Sequence, residues 1–199
     1  MVDEFRYFPE QESEDLEHIR SEILRYRSTF LMNDRERARF LGLPAGCRIR
    51  ENAKILNPGR FTCGTDVWIG EGAILDAQGG LEIGDNTQIG LSVMIWSHTT
   101  HLQALAGETG KNKDLIAYTP TKVGSNTFIG GPSVIGPGVT IGDGVIISPL
   151  SFVERDLPDG AVYSNNRLRR HAERDMAKLQ LEVDELRSEV ARLRGVLGE

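Results

Sequence analysis

The chain is poor in the residues that hold small folds together covalently. Its 199 residues include two cysteines, Cys47 and Cys63, with no CxxC pair and no zinc-type spacing. That excludes a disulfide framework and a cysteine-built zinc site, and leaves two reduced, partly buried thiols as the expectation. Aromatic residues make up 7% of the chain, and no apolar run approaches the roughly 20 residues of a membrane helix. A basic stripe is also missing. The net charge of −6, with a pI near 5.3, argues against a nucleic-acid partner, although residues 167–174 form one local cationic patch. The first residues, MVDEFRYFPEQESEDLEH, are acidic and carry no signal-peptide core, so the expected location is the cytoplasm. The apolar fraction is 39%, and there are 22 glycines. That mixture suits a slim core wrapped by a chain that turns often.

A period of six fills the middle of the sequence. Val123, Ile129, Ile135, Ile141, Ile147 and Val153 are all β-branched aliphatics, and Gly124, Gly130, Gly136 and Gly142 follow the first four. Four residues beyond each aliphatic lies a small or medium side chain: Thr127, Ser133, Val139, Val145, Ser151. The register recurs upstream at Ile83, Ile89 and Ile95 and at Ile69 and Leu75, and Ile49, Ile55 and Phe61 read as a frayed first turn. Two-residue slips fall near 61–69 and 75–83, and a long break at 96–122 interrupts the pattern. A helix would scatter these aliphatics around its axis, and each interior glycine would cost about 1 kcal/mol. Short strands joined by Gly, Asn or Asp turns fit instead, stacking into a solenoid with one continuous aliphatic core.

The motif [aliphatic]-Gly-x-x-[small]-x resembles the signature of the hexapeptide-repeat acyltransferases. The segment YTPTKVGSNTFIGGPSVIGPGVTIGDGVIISPLSFVERDLPDGAV is similar to the same stretch in sugar O-acetyltransferases of the maltose and galactoside type. The resemblance implies a mainly β fold, a left-handed parallel β-helix of about five coils. It divides the chain into an N-terminal helical segment (1–46), the β-helix (47–163) with its excursion at 96–122, and a C-terminal coiled-coil helix (164–199). In the first segment, residues 11–41 have helical spacing, and Asn33 or Asp34 caps a short second helix ended by Gly42 and Pro44.

The same resemblance implies acyl transfer from acetyl-CoA, the expected cosubstrate, to a sugar or glycan hydroxyl. Such a transfer needs a base beside the acceptor oxygen, and imidazole suits that role at neutral pH. His98 and His101 lie at the start of the excursion, whereas His18 and His171 fall in charged helical stretches. The family's base would fall seven residues after Val93, on Thr100; a one-residue insertion brings His101 into register, so His101 is the first candidate and His98 the second. The two form HxxH, but a catalytic zinc needs about three ligands. The excursion adds only Glu108 and Asp114, so no metal is expected. By resemblance, Gly130, Gly131, Ser148 and Pro149 line the donor groove between subunits. Arg155 and Arg167, with Arg169 and Arg170 behind, meet the CoA phosphates. Two departures from the family stand out: I-S-P-L-S at 147–151, where Pro149 lacks an N–H, and the ending S-N-N-R at 164–167. Trp96, just before the histidines, either stacks on a sugar ring or pins the excursion to the prism.

Beyond residue 165 glycine disappears until Gly195, and heptads begin. Met176, Val183, Val190 and Leu197 fall at a, and Ala172, Leu179, Leu186 and Leu193 at d; Glu182 and Glu189 at g face Arg187 and Arg194 at e. Together with the family's usual assembly, this predicts a parallel homotrimer. Two alternative functions remain at this stage, an N-acetyltransferase acting on an amino sugar-nucleotide and a catalytically silent β-helix scaffold.

Overall fold

The structure is a computed structural model that describes residues 31–171, 180–190 and 192. The candidate helix before residue 31 and half of the heptad positions lie outside the described residues. Helix α1 (Asp34–Phe40) opens the described chain. Asn33 is its N-cap and accepts from the N–H groups of Arg35 and Glu36, while Glu36 accepts from the N–H of Asn33 in return. Gly42 takes φ +75° just past the helix end. The guanidinium of Arg37, buried beneath the first coil, donates to the carbonyl of Ile49 at 2.8 Å.

From there the chain winds a three-sided prism. Coil one comprises β1 (Arg48–Ile49), β2 (Lys54–Leu56) and β3 (Phe61–Cys63). Coil two comprises β4 (Trp68–Ile69), β5 (Ile74–Asp76) and β6 (Leu81–Ile83). Coil three begins with β7 (Gln88–Ile89) and β8 (Met94–Ile95). The chain then leaves the prism, forming an antiparallel hairpin of β9 (His98–Thr99) and β10 (Ala117–Tyr118) with helix α2 (His101–Leu105) between them. It returns as β11 (Thr121–Val123), so Thr121 and Lys122 already belong to the prism. Coil four is β12 (Phe128–Ile129), β13 (Val134–Ile135) and β14 (Thr140–Ile141); coil five is β15 (Ile146–Ile147) and β16 (Phe152–Val153), closed by a bridge from Leu157 to Ile141. A sixth coil starts with β17 (Ala161–Ser164), and β18 (Arg167–His171) folds back antiparallel along it.

Strands of successive coils pair in parallel, making three sheets. The first face is β1-β4-β7-β12-β15-β17, the second β2-β5-β8-β13-β16, and the third β3-β6-β11-β14. Every aliphatic of the period-six series points inward: Ile129, Ile135, Ile147 and Val153 are fully buried, and Val123 and Ile141 nearly so. Each such side chain contributes about 1.5–3 kcal/mol of burial. The small residues between them turn in as well. Where they carry hydroxyls, corner carbonyls accept the proton: Thr87 Oγ1 donates to Gly124 O at 2.7 Å, and Ser133 Oγ to Gly130 O at 2.6 Å. Asparagines serve the left-handed turn positions, as at Asn86 (φ +53°) and Asn126 (φ +56°).

One detail of the register differs from the sequence expectation. Cys63, not Phe61, occupies the repeat position of coil one, pairing with Ile83, while Phe61 pairs with Leu81. The slip therefore lies between Ile55 and Cys63, at the same corner as the slip between Leu75 and Ile83 and the excursion of coil three. Each of the first two coils carries a longer strand on the third face there, so two residues per strand point inward instead of one.

Candidate active site

The corner between the second and third faces gathers every interruption of the repeat, one above another. Asp76 ends β5 at this corner and is fully buried. A buried carboxylate is costly unless its oxygens are bonded. Here Oδ1 accepts from the N–H of Gln78 at 3.1 Å, and Oδ2 accepts from the N–H of Ser97 at 2.9 Å and from its hydroxyl at 3.3 Å. The fourth contact is His98 Nδ1, 2.6 Å from Oδ2. The carboxylate fixes the tautomer: Nδ1–H donates to Asp76, and Nε2 carries the free lone pair.

The surrounding corner is tied together. Ser97 Oγ accepts from the N–H of Gly79 at 2.8 Å, and Thr119 N–H donates to Ser97 O at 2.8 Å. Thr121 Oγ1 donates to Trp96 O at 2.6 Å and accepts from Gly138 N–H at 3.0 Å. Trp96 itself is half-buried, its N–H bonded to Ile135 O, so its backbone fastens the excursion to the prism. Tyr118 lies opposite His98 in the hairpin, with ring centroids 6.1 Å apart and planes 22° off parallel. That is a stacked arrangement, and it restrains one face of the imidazole.

His101 is placed differently. It is the exposed first residue of α2, and its Nδ1 meets only Thr99 Oγ1, at 3.1 Å. Among the described residues it has no carboxylate partner. No group of three or more His, Cys, Asp or Glu side chains is assembled to hold a metal among the described residues, and no helix there is long and apolar enough to cross a membrane. Asp76 is the functional candidate that the sequence reading missed. Its signal was available: an acid set directly behind the inward Leu75, at the start of the slip marked by QGG.

Gly130, Gly131, Ser148 and Pro149 come together at another corner, between the first and second faces. Pro149 packs on Gly130 so closely that a Cβ there would meet the proline ring at 2.7 Å. The N–H of Gly130 is committed to Ile147 O (2.8 Å) and that of Ser148 to Tyr163 O (2.9 Å). Arg155 is exposed beyond β16, on the corner that bears His98, and Arg167 is exposed at the start of β18. Within one chain, then, the histidines lie on a different edge of the prism from Gly130, Gly131, Ser148 and Pro149, and the two groups do not converge.

The fold and its repeat define a class, the hexapeptide-repeat parallel β-helix: residues 120–155 match the family model described as bacterial transferase hexapeptide (six repeats). Within that class the chain is similar to named enzymes. It is 32% identical to the galactoside O-acetyltransferase of Escherichia coli (strain K12) over 123 residues, 57% of this chain and 57% of that enzyme, so it spans rather more than half of that relative's length. It superposes on a maltose O-acetyltransferase from Clostridium difficile 630 with a TM-score of 0.52 at 25% identity, covering 78% of this chain and 84% of the other. A hexapeptide-repeat acetyltransferase from Vibrio cholerae O1 biovar eltor, solved in complex with acetyl-coenzyme A, shares the fold with a TM-score of 0.53 at 22% identity, over 80% and 90% of the two chains.

Proposed function

We propose that this protein is an acetyl-CoA-dependent O-acetyltransferase acting on a sugar or glycan hydroxyl, with His98 rather than His101 as its general base. The observation that carries the reading is the 2.6 Å contact between His98 Nδ1 and the fully buried carboxylate of Asp76. A base is effective when its ring is oriented and its reactive nitrogen is free, and of the two candidates His98 and His101 only His98 meets both conditions. The acceptor hydroxyl gives its proton to His98 Nε2 as its oxygen attacks the thioester carbonyl. The tetrahedral intermediate collapses with cleavage of the carbon–sulfur bond, and the imidazolium returns the proton to the departing thiolate. Asp76 stabilises the imidazolium throughout.

The donor groove lies between copies of the chain, the glycine–proline corner of one facing the histidine corner of the next. Three features support a homotrimer of this kind. Gly130, Gly131, Ser148 and Pro149, expected to hold the donor, sit on a different edge from His98. In coils four and five the outer surfaces of two faces carry apolar side chains, with Phe128, Ile146 and Phe152 each more than 40% exposed. The helical residues 180–190 leave Val183, Leu186 and Val190, the a and d positions of the heptads, exposed. With two amides committed and Pro149 lacking one, the glycine–proline corner offers the pantetheine arm a shaped surface rather than a row of backbone donors. Arg155 and Arg167 supply charge for the CoA phosphates.

Thiol release from acetyl-CoA with a panel of sugars tests the reading. His98→Ala should lower turnover about 10²–10⁴-fold with the fold unchanged, and His101→Ala should stay within about threefold of the parent. The reverse pattern would make His101 the base. Absence of thiol release from the parent protein with every sugar would favour the scaffold reading.

A further inference from the structure

Coil one is cationic in a chain of net charge −6. Between Cys47 and Cys63 it carries Arg48, Arg50, Lys54 and Arg60 against a single acid, Glu51, and all four cations are exposed. One of the four differs from the rest in position. Arg60 ends the 3-10 turn Pro58–Arg60, on the histidine corner itself, one coil below Asp76. Its Nη1 donates to the carbonyl of Gln78 at 2.7 Å, and the N–H of Gln78 donates to Asp76 Oδ1. A line of bonds therefore runs up the edge from Arg60 through Gln78 and Asp76 to His98.

That tether uses one of the five N–H donors of the guanidinium. Among the described residues Arg60 makes no ion pair, whereas the cation Lys122 on the neighbouring face is paired with Glu82 at 3.0 Å. A long, mobile side chain gains order from such a tether, and an ordered planar fork is suited to a carboxylate or phosphate. The guanidinium is held at the level of coil two and His98 at the level of coil three. With strands about 4.8 Å apart, the two lie about 5–10 Å apart along the edge. That distance suits one sugar residue whose hydroxyl faces His98 and whose anionic group faces Arg60.

We infer that Arg60 forms an anion subsite on the acceptor side and that the acceptor is an acidic sugar, carboxylated or phosphorylated. The inference rests on the placement of the acceptor at His98 proposed above. Nothing in the donor's chemistry requires Arg60, because the cations assigned to CoA, Arg155 and Arg167, lie at the other end of the prism.

Binding to the full-length protein tests this independently of turnover. Methyl glucuronoside, glucose 6-phosphate and methyl glucoside would be titrated by ligand-observed NMR at low ionic strength, where an exposed cation is least screened. One or both anionic sugars should bind at least about tenfold tighter than the neutral one, and which of them does so distinguishes carboxylate from phosphate. Arg60→Ala should abolish the preference without changing the weak binding of methyl glucoside, Arg60→Lys should restore part of it, and His98→Ala should retain it. Equal binding of the three sugars, absence of binding by any of them, or a preference that survives Arg60→Ala would overturn the subsite. A preference retained by His98→Ala while that variant keeps full turnover would instead uphold the subsite and overturn the base.

Discussion

At the corner between the first and second faces, the inward residues are always six apart: Ile49 to Ile55, Ile69 to Leu75, Ile89 to Ile95, Ile129 to Ile135, Ile147 to Val153. The next corner has no such constancy. There the spacing is eight in coils one and two, the whole excursion fits between Ile95 and Val123 in coil three, and six returns only in coil four. Where the repeat is strict, consecutive coils press backbone on backbone and leave no room for side-chain chemistry. Where it loosens, the extra residues of coil two bury Asp76 and those of coil three bring His98 to it. Irregularity in this solenoid is confined to one edge, and that edge holds the only buried carboxylate–imidazole pair among the described residues.

The sharpest way to break the comparison is to disable the loose corner while keeping its shape. Asp76→Asn preserves volume but removes the charge and turns one of the two oxygens, which together accept from four donors, into an NH2 that cannot accept. Turnover should fall at least about 10²-fold, because the imidazole loses both its tautomer and the charge that stabilises its protonated form. Stability should fall by about 1–3 kcal/mol from the unsatisfied buried groups. Steady-state kinetics and a thermal melt on the same preparation check both. A variant that kept more than half of the parent turnover would mean that Asp76 only fills the corner.

A second test sets a glycine of the strict corner against one of the excursion. A Cβ added at Gly131 would sit on the Leu91 carbonyl oxygen of the coil below, whereas Gly107, at φ +68°, has nothing within 4 Å. Gly131→Ala should therefore cost about 3 kcal/mol as two backbones are forced apart. Gly107→Ala should cost about 1 kcal/mol, the conformational penalty alone. Chemical denaturation of the two variants measures the difference. Equal losses would show that the strict corner tolerates expansion and that its regularity has another origin.

Much of this was legible in the sequence, for a physical reason. A period of six with trailing glycine satisfies one geometric demand repeated many times, so every coil votes for the same answer, and Ile129, Ile135 and Ile147 could be placed inside without knowing the number of faces. The capped helix at Asn33 was legible because capping is local. The pairing of Asp76 with His98 was not. The residues are 22 apart in the chain, and their meeting depends on two interruptions stacking at one corner, which periodicity cannot express. The proposal of His98 over His101 rests on that contact. The misplacement of Phe61 has the same root: a slip can be detected from spacing, but its corner is fixed only when Cys63 is seen to pair with Ile83.

The smallest predicted effect concerns that cysteine and sharpens the contrast between the corner proposed to do chemistry and the core. Cys63 stands on the third face where the next coils have Ile83, Val123 and Ile141. Its thiol is pushed up to about 12, first by burial, then by the neighbouring thiol of Cys47, and least by the charge of Asp85. Cys47 in turn donates its S–H to Gly64 O at 3.3 Å. Because the folded value lies above the unfolded one, 9.0, the stabilisation from the neutral thiol is complete below that pH. It is lost as the pH rises from 9.0 towards 12. The thiolate is the nucleophile, so at pH 8 Cys63 in the folded protein should be alkylated by iodoacetamide at least about tenfold more slowly than in the urea-unfolded chain. Mass spectrometry of quenched time points gives the two rates. Equal rates would place Cys63 in a more open setting, and the frayed first coil would then extend to the third face.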